Sequence, residues 1–336
     1  MHLDASFMGP LATAAADAAA LEAKGYGALW SADGPRSPFL PLAIAAQATS
    51  DAIVGTGIAI AFPRSPFVLA QTSWELQELS GGRFVLGLGT QVRAHVERRF
   101  GSSFDHPGPR LREMVLAMRA LWSAFRGESR LDFHGNFFRH DLLTPPFTPP
   151  TISYRDPPIY LAAVNPWMFR MAGEVADGVF VHPFHSVRYL EEVAVPALVA
   201  GLERSGRRRE DLTLVSRVMV IATDDPVEHQ AALDLARRRI AFYGSTRAYL
   251  PVLAIHGFEE AGKELAALAA ARDWDAMPAV VTDAMVDTFT LSGTWAELPG
   301  VLRSRYAGLL DRCMIYEGFG PSDEATERIF VASVNS

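Results

Sequence analysis

The sequence predicts an α/β fold, a single (β/α)8 TIM barrel with insertions. Three observations lead there. Short apolar runs alternate with longer helical patterns along most of the 336 residues, the runs are continuously apolar, and they number about eight. Continuous apolar strands require burial on both faces, which a parallel sheet covered by helices provides. Repeated β-α units with right-handed crossovers give an open doubly wound sheet or a closed barrel. Eight strands favour the closed form.

The elements follow in order. His2–Phe7 is the first strand, and an alanine-rich helix from about Leu11 to Lys24 is closed by Gly25. Gly27–Asp33 is the second strand, Leu40–Ser50 a helix and Ala52–Phe62 the third strand. The helix Phe67–Ser80 stops at Gly81-Gly82, and Arg83–Gly89 is the fourth strand. A strongly amphipathic helix covers Leu111–Phe125. Arg130–His140 reads as a hairpin turning at His134-Gly135-Asn136. Thr144–Pro158 holds six prolines, so it is neither central strand nor helix but a surface excursion, a candidate lid. Pro158–Val164 and Asp177–Phe184 resume the strands around a helix at Trp167–Ala176. A helix from Tyr189 to Arg204, a strand at Leu212–Ala222, a largely helical stretch from Val227 to Met277 and a last strand at Asp311–Tyr316 complete the pattern. No linker marks a boundary, so residues 1–336 are expected to form one domain.

Composition narrows the function classes. Hydrophobic residues make up 49% and charged residues 21%, which excludes a disordered chain. A net charge of −7 without a basic aromatic tract argues against nucleic-acid binding. The sole cysteine, Cys313, excludes an intrachain disulfide framework. The histidines lack ligand spacing, so no metal is expected. The opening MHLDASFMGP lacks a basic signal-peptide start, and Asp17, Glu22 and Lys24 interrupt the alanine-rich stretch. A cytoplasmic protein without a membrane span is expected.

Four segments, in order, resemble the luciferase-like flavin and deazaflavin oxidoreductases: Gly25–Asp33, Gly55–Thr90, Pro157–Phe184 and Thr288–Tyr316. The chain is most similar to the actinobacterial branch described as coenzyme F420-dependent oxidoreductases, of which GTQVRAHVERRFG (Gly89–Gly101) is characteristic. The resemblance implies a hydride transfer between coenzyme F420 and a small organic substrate, in a homodimer. The alternatives are an FMN-dependent monooxygenase and, in another class, a non-catalytic flavin-binding barrel.

The resemblance also implies site residues. Gly57-Ile58 matches a cis peptide whose bulge supports the tricyclic ring; otherwise Gly57 is a tight spot in a buried strand. Thr90 and Gln91 follow a strand end, where they could meet the ring or ribityl chain or merely cap a helix. Ala162, Ala163, Val164, Asn165, Pro166 and Trp167 match the segment that receives the coenzyme phosphate. A loop entering a helix offers N–H groups and a favourable dipole to an anion, and the same geometry simply starts a helix. Asn165 and Pro166 fit its N-cap and first turn. Val164-Asn165 departs from the glycines that related enzymes carry there. Asp33 stands where some relatives have a catalytic histidine; it could accept a proton or cap the turn before Gly34-Pro35. His95 is the second catalytic candidate, and His182 and His185 follow a strand end. Arg93, Arg98 and Arg99 form a local basic cluster able to meet an anionic coenzyme tail, or a solvated helix face.

Overall fold

The computed structural model describes residues 1–336. Its strands in chain order are β1 (His2–Ser6), β2 (Ala28–Ser31), β3 (Ile53–Thr56), β4 (Ala59–Ile60), β5 (Phe84–Gly89), β6 (Phe133–His134), β7 (Arg139–His140), β8 (Ile159–Ala163), β9 (Gly178–Val181), β10 (Thr213–Ala222), β11 (Thr290–Gly293) and β12 (Arg312–Ile315). Eight of them close a parallel barrel in the order β1-β2-β3-β5-β8-β9-β10-β12, with β12 returning to β1. The register runs from Ala5↔Leu29 through Trp30↔Gly55 to Leu3↔Cys313 at the seam. The eight barrel strands point the same way, so their C-terminal ends form one mouth.

Two departures from the sequence reading lie at that mouth. The third strand is not continuous: it breaks at Gly57-Ile58, whose peptide bond is cis, and resumes as β4 alongside β5. The short β11 escaped the apolar pattern because only Thr290 and Leu291 of its residues are buried. It pairs with the upper half of β10, at Met219–Ala222, while β12 pairs with the lower half at Val215–Val218.

The barrel interior below the mouth is solid. Trp30, Tyr160, Phe180, Val85, Val215, Met314 and Ala28 form a separate buried cluster inside the ring of strands. Trp30 meets Phe180 edge-on at 4.9 Å between ring centres. Its indole N–H donates to Asp4 at 2.8 Å, and Arg312 holds the same carboxylate with two bonds of 2.6–2.8 Å. A fully buried aspartate is tolerated because each of its oxygens is bonded. The main core lies between strands and helices.

Local chemistry places the outer layer. The helix Pro66–Leu79 begins with Ser65 accepting from the Val68 N–H at 3.2 Å and proline in its first turn. It ends where Gly81 and Gly82 take positive φ. The predicted hairpin forms, with Phe133 opposite His140. The proline-rich excursion is anchored on the outside of the helix Pro66–Leu79: Trp74 donates to the Pro150 carbonyl at 2.9 Å and Gln77 to that of Arg155 at 3.0 Å. It lines a groove with Phe67, Gln71 and Trp74 and contributes no residue to the cavity at the mouth, so the expectation of a lid is corrected. The largest insertion is helical, between β10 and β11, and carries Tyr243 and Tyr249 over the mouth. No helix is long and apolar enough to cross a membrane.

Candidate active site

A cavity of about 290 Å³ opens at the C-terminal ends of the strands, above the Trp30 layer. Ten of its sixteen lining residues are hydrophobic, and the volume lies near the lower end of ligand pockets, ~300 Å³. One wall is Gly57, Ile58 and Ile60, and the facing side is built by Ala162, Ala163, Val164, Phe180 and Val181. Small residues let the elements that form the walls pack closely. A Cβ on Gly57 would lie 3.0 Å from Trp30, and one on Gly89 would lie 2.8 Å from the Ile58 side chain. At Gly87 a Cβ would stand 1.9 Å from the Thr56 carbonyl, so β3 and β5 approach closely only because that residue has no side chain.

The Gly57–Ile60 wall is held by Asp33. The Asp33 carboxylate accepts from the Ile60 N–H at 2.6 Å and forms a two-pronged ion pair with Arg64 at 2.6 and 2.9 Å. Arg64 also donates to the Ile60 carbonyl at 2.7 Å, and the Asp33 N–H donates to Ile58 at 3.0 Å. Asp33 thus lines the cavity with its carboxylate committed to a backbone clamp.

The other residues named from the sequence divide. Gln91 reaches the cavity from a left-handed backbone conformation, and its amide oxygen accepts from the Val92 N–H. Thr90 is half-buried beside it and contributes no lining. Asn165, Pro166 and Trp167 are exposed on the turn that continues from Val164 into the helix Pro166–Val175. Asn165 caps that helix, accepting from the Met168 N–H at 3.0 Å, and Tyr189 fixes the turn by donating to the Val164 carbonyl at 2.8 Å. Pro166 has no N–H and the Met168 N–H is taken by the cap, so in the first turn the Trp167 N–H, together with the helix dipole, is what is left to favour an anion.

His95 lies apart and corrects the expectation of a pocket-facing imidazole. The helix Arg93–Arg98 is too short to present two faces: it buries Val96 alone, so His95 points to solvent outside the cavity. Arg93 is paired with Glu97 and Arg99 with the Gly34 carbonyl, which leaves the basic cluster a largely solvated face.

His182 occupies the position His95 was expected to take. It lines the cavity, stacks on Tyr249 at 4.4 Å and meets Tyr243 edge-on at 4.7 Å. Its Nδ1 accepts from the Phe184 N–H at 3.1 Å, which puts the ring proton on Nε2. Burial, reinforced by His185 and Arg217, pulls its pKa down to about 3. At neutral pH it is an uncharged hydrogen-bond donor. His185 lies deeper, donates to the His182 carbonyl at 2.9 Å and is pulled down to about 4, chiefly by burial.

Sequence reasoning missed Arg64, Arg217 and Tyr243. Arg217 left a legible signal: a single charge within the apolar strand Leu212–Ala222. Arg64 and Tyr243 sit on a loop and an insertion helix, where no periodicity assigns a partner.

Comparison with known proteins gives concordant findings. A sequence profile of the luciferase-like monooxygenase family matches residues 2–312. An uncharacterized protein of Mycobacterium tuberculosis is 45% identical over 314 residues, covering 94% of this chain and 92% of that one. The F420-dependent hydroxymycolic acid dehydrogenase of the same species is 31% identical over 231 residues, 65% of this chain and 61% of that one. Among solved structures, the coenzyme F420-dependent tetrahydromethanopterin reductase of Methanopyrus kandleri superposes with a TM-score of 0.76 at 19% identity, covering 100% and 97% of the two chains. The last likeness is one of fold, a closed parallel barrel in both.

Proposed function

The chain belongs to the luciferase-like monooxygenase family of oxidoreductases, and from that premise we propose that it is a coenzyme F420-dependent oxidoreductase. It transfers a hydride between the deazaflavin and a small organic substrate. The observation that carries this is the mouth cavity: a narrow apolar slot walled by the clamped Gly57–Ile60 segment and continuous with the capped turn Val164–Asn165. The relatives' names support the coenzyme, since the mycobacterial dehydrogenase is described as F420-dependent.

The residues fit such a group. A flat ring needs two close walls, and Gly57, Ala162 and Ala163 line the slot with little side-chain bulk. An anionic arm needs a donor at a helix N-terminus, and the Asn165–Trp167 turn offers the helix dipole and the Trp167 N–H. When bound, the deazaflavin supplies two-electron hydride chemistry with little reactivity toward oxygen. The chain does the rest. Asp33 and Arg64 hold the Gly57–Ile60 wall, Phe180 and Ile60 exclude water, and Val164 leads the backbone toward the anion turn. Neutral His182 is the group we assign to donate a hydrogen bond from Nε2 to a substrate oxygen and so to orient and polarise it.

The experiment is a titration of purified protein with F420 and with FMN under identical conditions. Micromolar or tighter saturation by F420, with FMN at least tenfold weaker, is the expected result. Binding of FMN alone would transfer the protein to the oxygen-using monooxygenase reading.

A further inference from the structure

One cation in the cavity has nothing to balance it. Arg217 lies midway along β10 and lines the cavity beside His182, Tyr243 and Met314. Its Nε and Nη2 are shut off from solvent and meet no hydrogen-bond acceptor. Arg64 and Arg312, by contrast, are each held by a carboxylate, that of Asp33 and that of Asp4. The only other charged lining residue is Asp33, whose carboxylate is held by Arg64 and the Ile60 N–H. A half-buried guanidinium without acceptors is costly unless an anion completes it, and its planar fork matches an oxyanion with two bonds.

We infer that Arg217 is the receptor for an anionic group on the substrate, so that the substrate class is a small organic acid. The placement deepens the preceding reading and rests on it for the position of the coenzyme. Arg217 stands on the side of the cavity formed by β9 and β10, next to the neutral donor His182. An acid bound there turns an adjacent carbonyl or hydroxyl oxygen toward His182 Nε2. Tyr243, which is hydrogen-bonded to Tyr316, closes the pocket above. The slot is small, and a single fixed charge at one end orients a short molecule in one direction. The competing source of negative charge is the coenzyme itself, and the test separates the two.

The probes are benzoate and benzamide, equal in shape and different in charge, titrated calorimetrically into F420-loaded wild-type protein and into Arg217→Gln and Arg217→Met. Wild type should prefer benzoate by about tenfold or more. Both variants should lose that preference while their F420 dissociation constants stay within about threefold of wild type. Because the guanidinium has no partner in the protein, the melting temperature of Arg217→Met should hold or rise. Equal binding of the two probes by wild type overturns the inference. So does a preference that survives in the variants, or a fall of several degrees in melting temperature. A tenfold loss of F420 affinity with the benzoate preference intact assigns Arg217 to the coenzyme instead. Should wild type bind no F420, the coenzyme reading fails, and the same probe pair on the free protein still decides the role of Arg217.

Discussion

Replacing Asp33 by asparagine separates the two roles its position suggests. Asp33 has a side chain 5% exposed and its partner Arg64 one 18% exposed, with three short bonds converging on the carboxylate. Asparagine keeps one neutral acceptor and turns an NH2 group toward the guanidinium or the Ile60 N–H. Breaking a buried pair costs ~3–5 kcal/mol, and hydrogen bonds to charged groups are worth ~1.5–3 kcal/mol each. The remaining exposure of Arg64 allows water to compensate in part, so the expected loss is about 2–4 kcal/mol. Urea unfolding at pH 7 reads this as a lower midpoint with an unchanged slope. Because the clamp holds the Gly57–Ile60 wall, F420 affinity should fall about tenfold, or ~1.4 kcal/mol. A variant with wild-type stability and wild-type coenzyme affinity would refute the clamp, and a selective loss of turnover in that variant would return Asp33 to proton transfer.

The other predictions concern packing, capping and protonation. Gly87→Ala drives a Cβ to 1.9 Å from the Thr56 carbonyl and should cost more than about 2 kcal/mol in chemical unfolding. The control Gly300→Ala, in the helix Leu298–Tyr306 with nothing within 4 Å of the added atom, should stabilise by about 0.5–1 kcal/mol. Asn165→Ala removes the cap on the Met168 N–H, which should lower stability by ~1 kcal/mol and weaken F420 without abolishing binding. The pH dependence follows from His182 and His185, held near 3 and 4 against an ordinary 6.5. Below 6.5 the unfolded chain takes up protons that the folded protein refuses, so stability rises with pH up to 6.5 and is lost as pH falls below it. Each histidine should contribute about 1 kcal/mol of loss between pH 6.5 and 5.5, and His182→Asn should remove its share from unfolding curves measured at the two values.

Much of the barrel was legible because burial on both faces writes a strand as an unbroken apolar run. His2–Phe7, Arg83–Gly89 and Pro158–Val164 each contain an observed strand. The strand at Thr290–Gly293 was not legible, since half of it faces outward and its partner is only the upper half of β10. The proline-rich stretch holds no strand and only a single 3-10 turn at Pro145–Phe147, and its resting place depends on Trp74 and Gln77, side chains distant in sequence. In the site, small residues at strand ends pointed to the cavity walls. The direction of a side chain did not follow: Asp33 meets Arg64 across 31 positions, and His95 turns outward on a helix anchored by Val96.

The most direct test is a crystal structure of the protein with F420 bound. The account requires the tricyclic ring in the slot between Gly57-Ile58 and Ala162-Ala163, its phosphate on the turn at Asn165–Trp167, and Arg217 left open to substrate. A ring seated elsewhere, or a slot closed by Ile58 and Phe180 with the coenzyme outside, would contradict it.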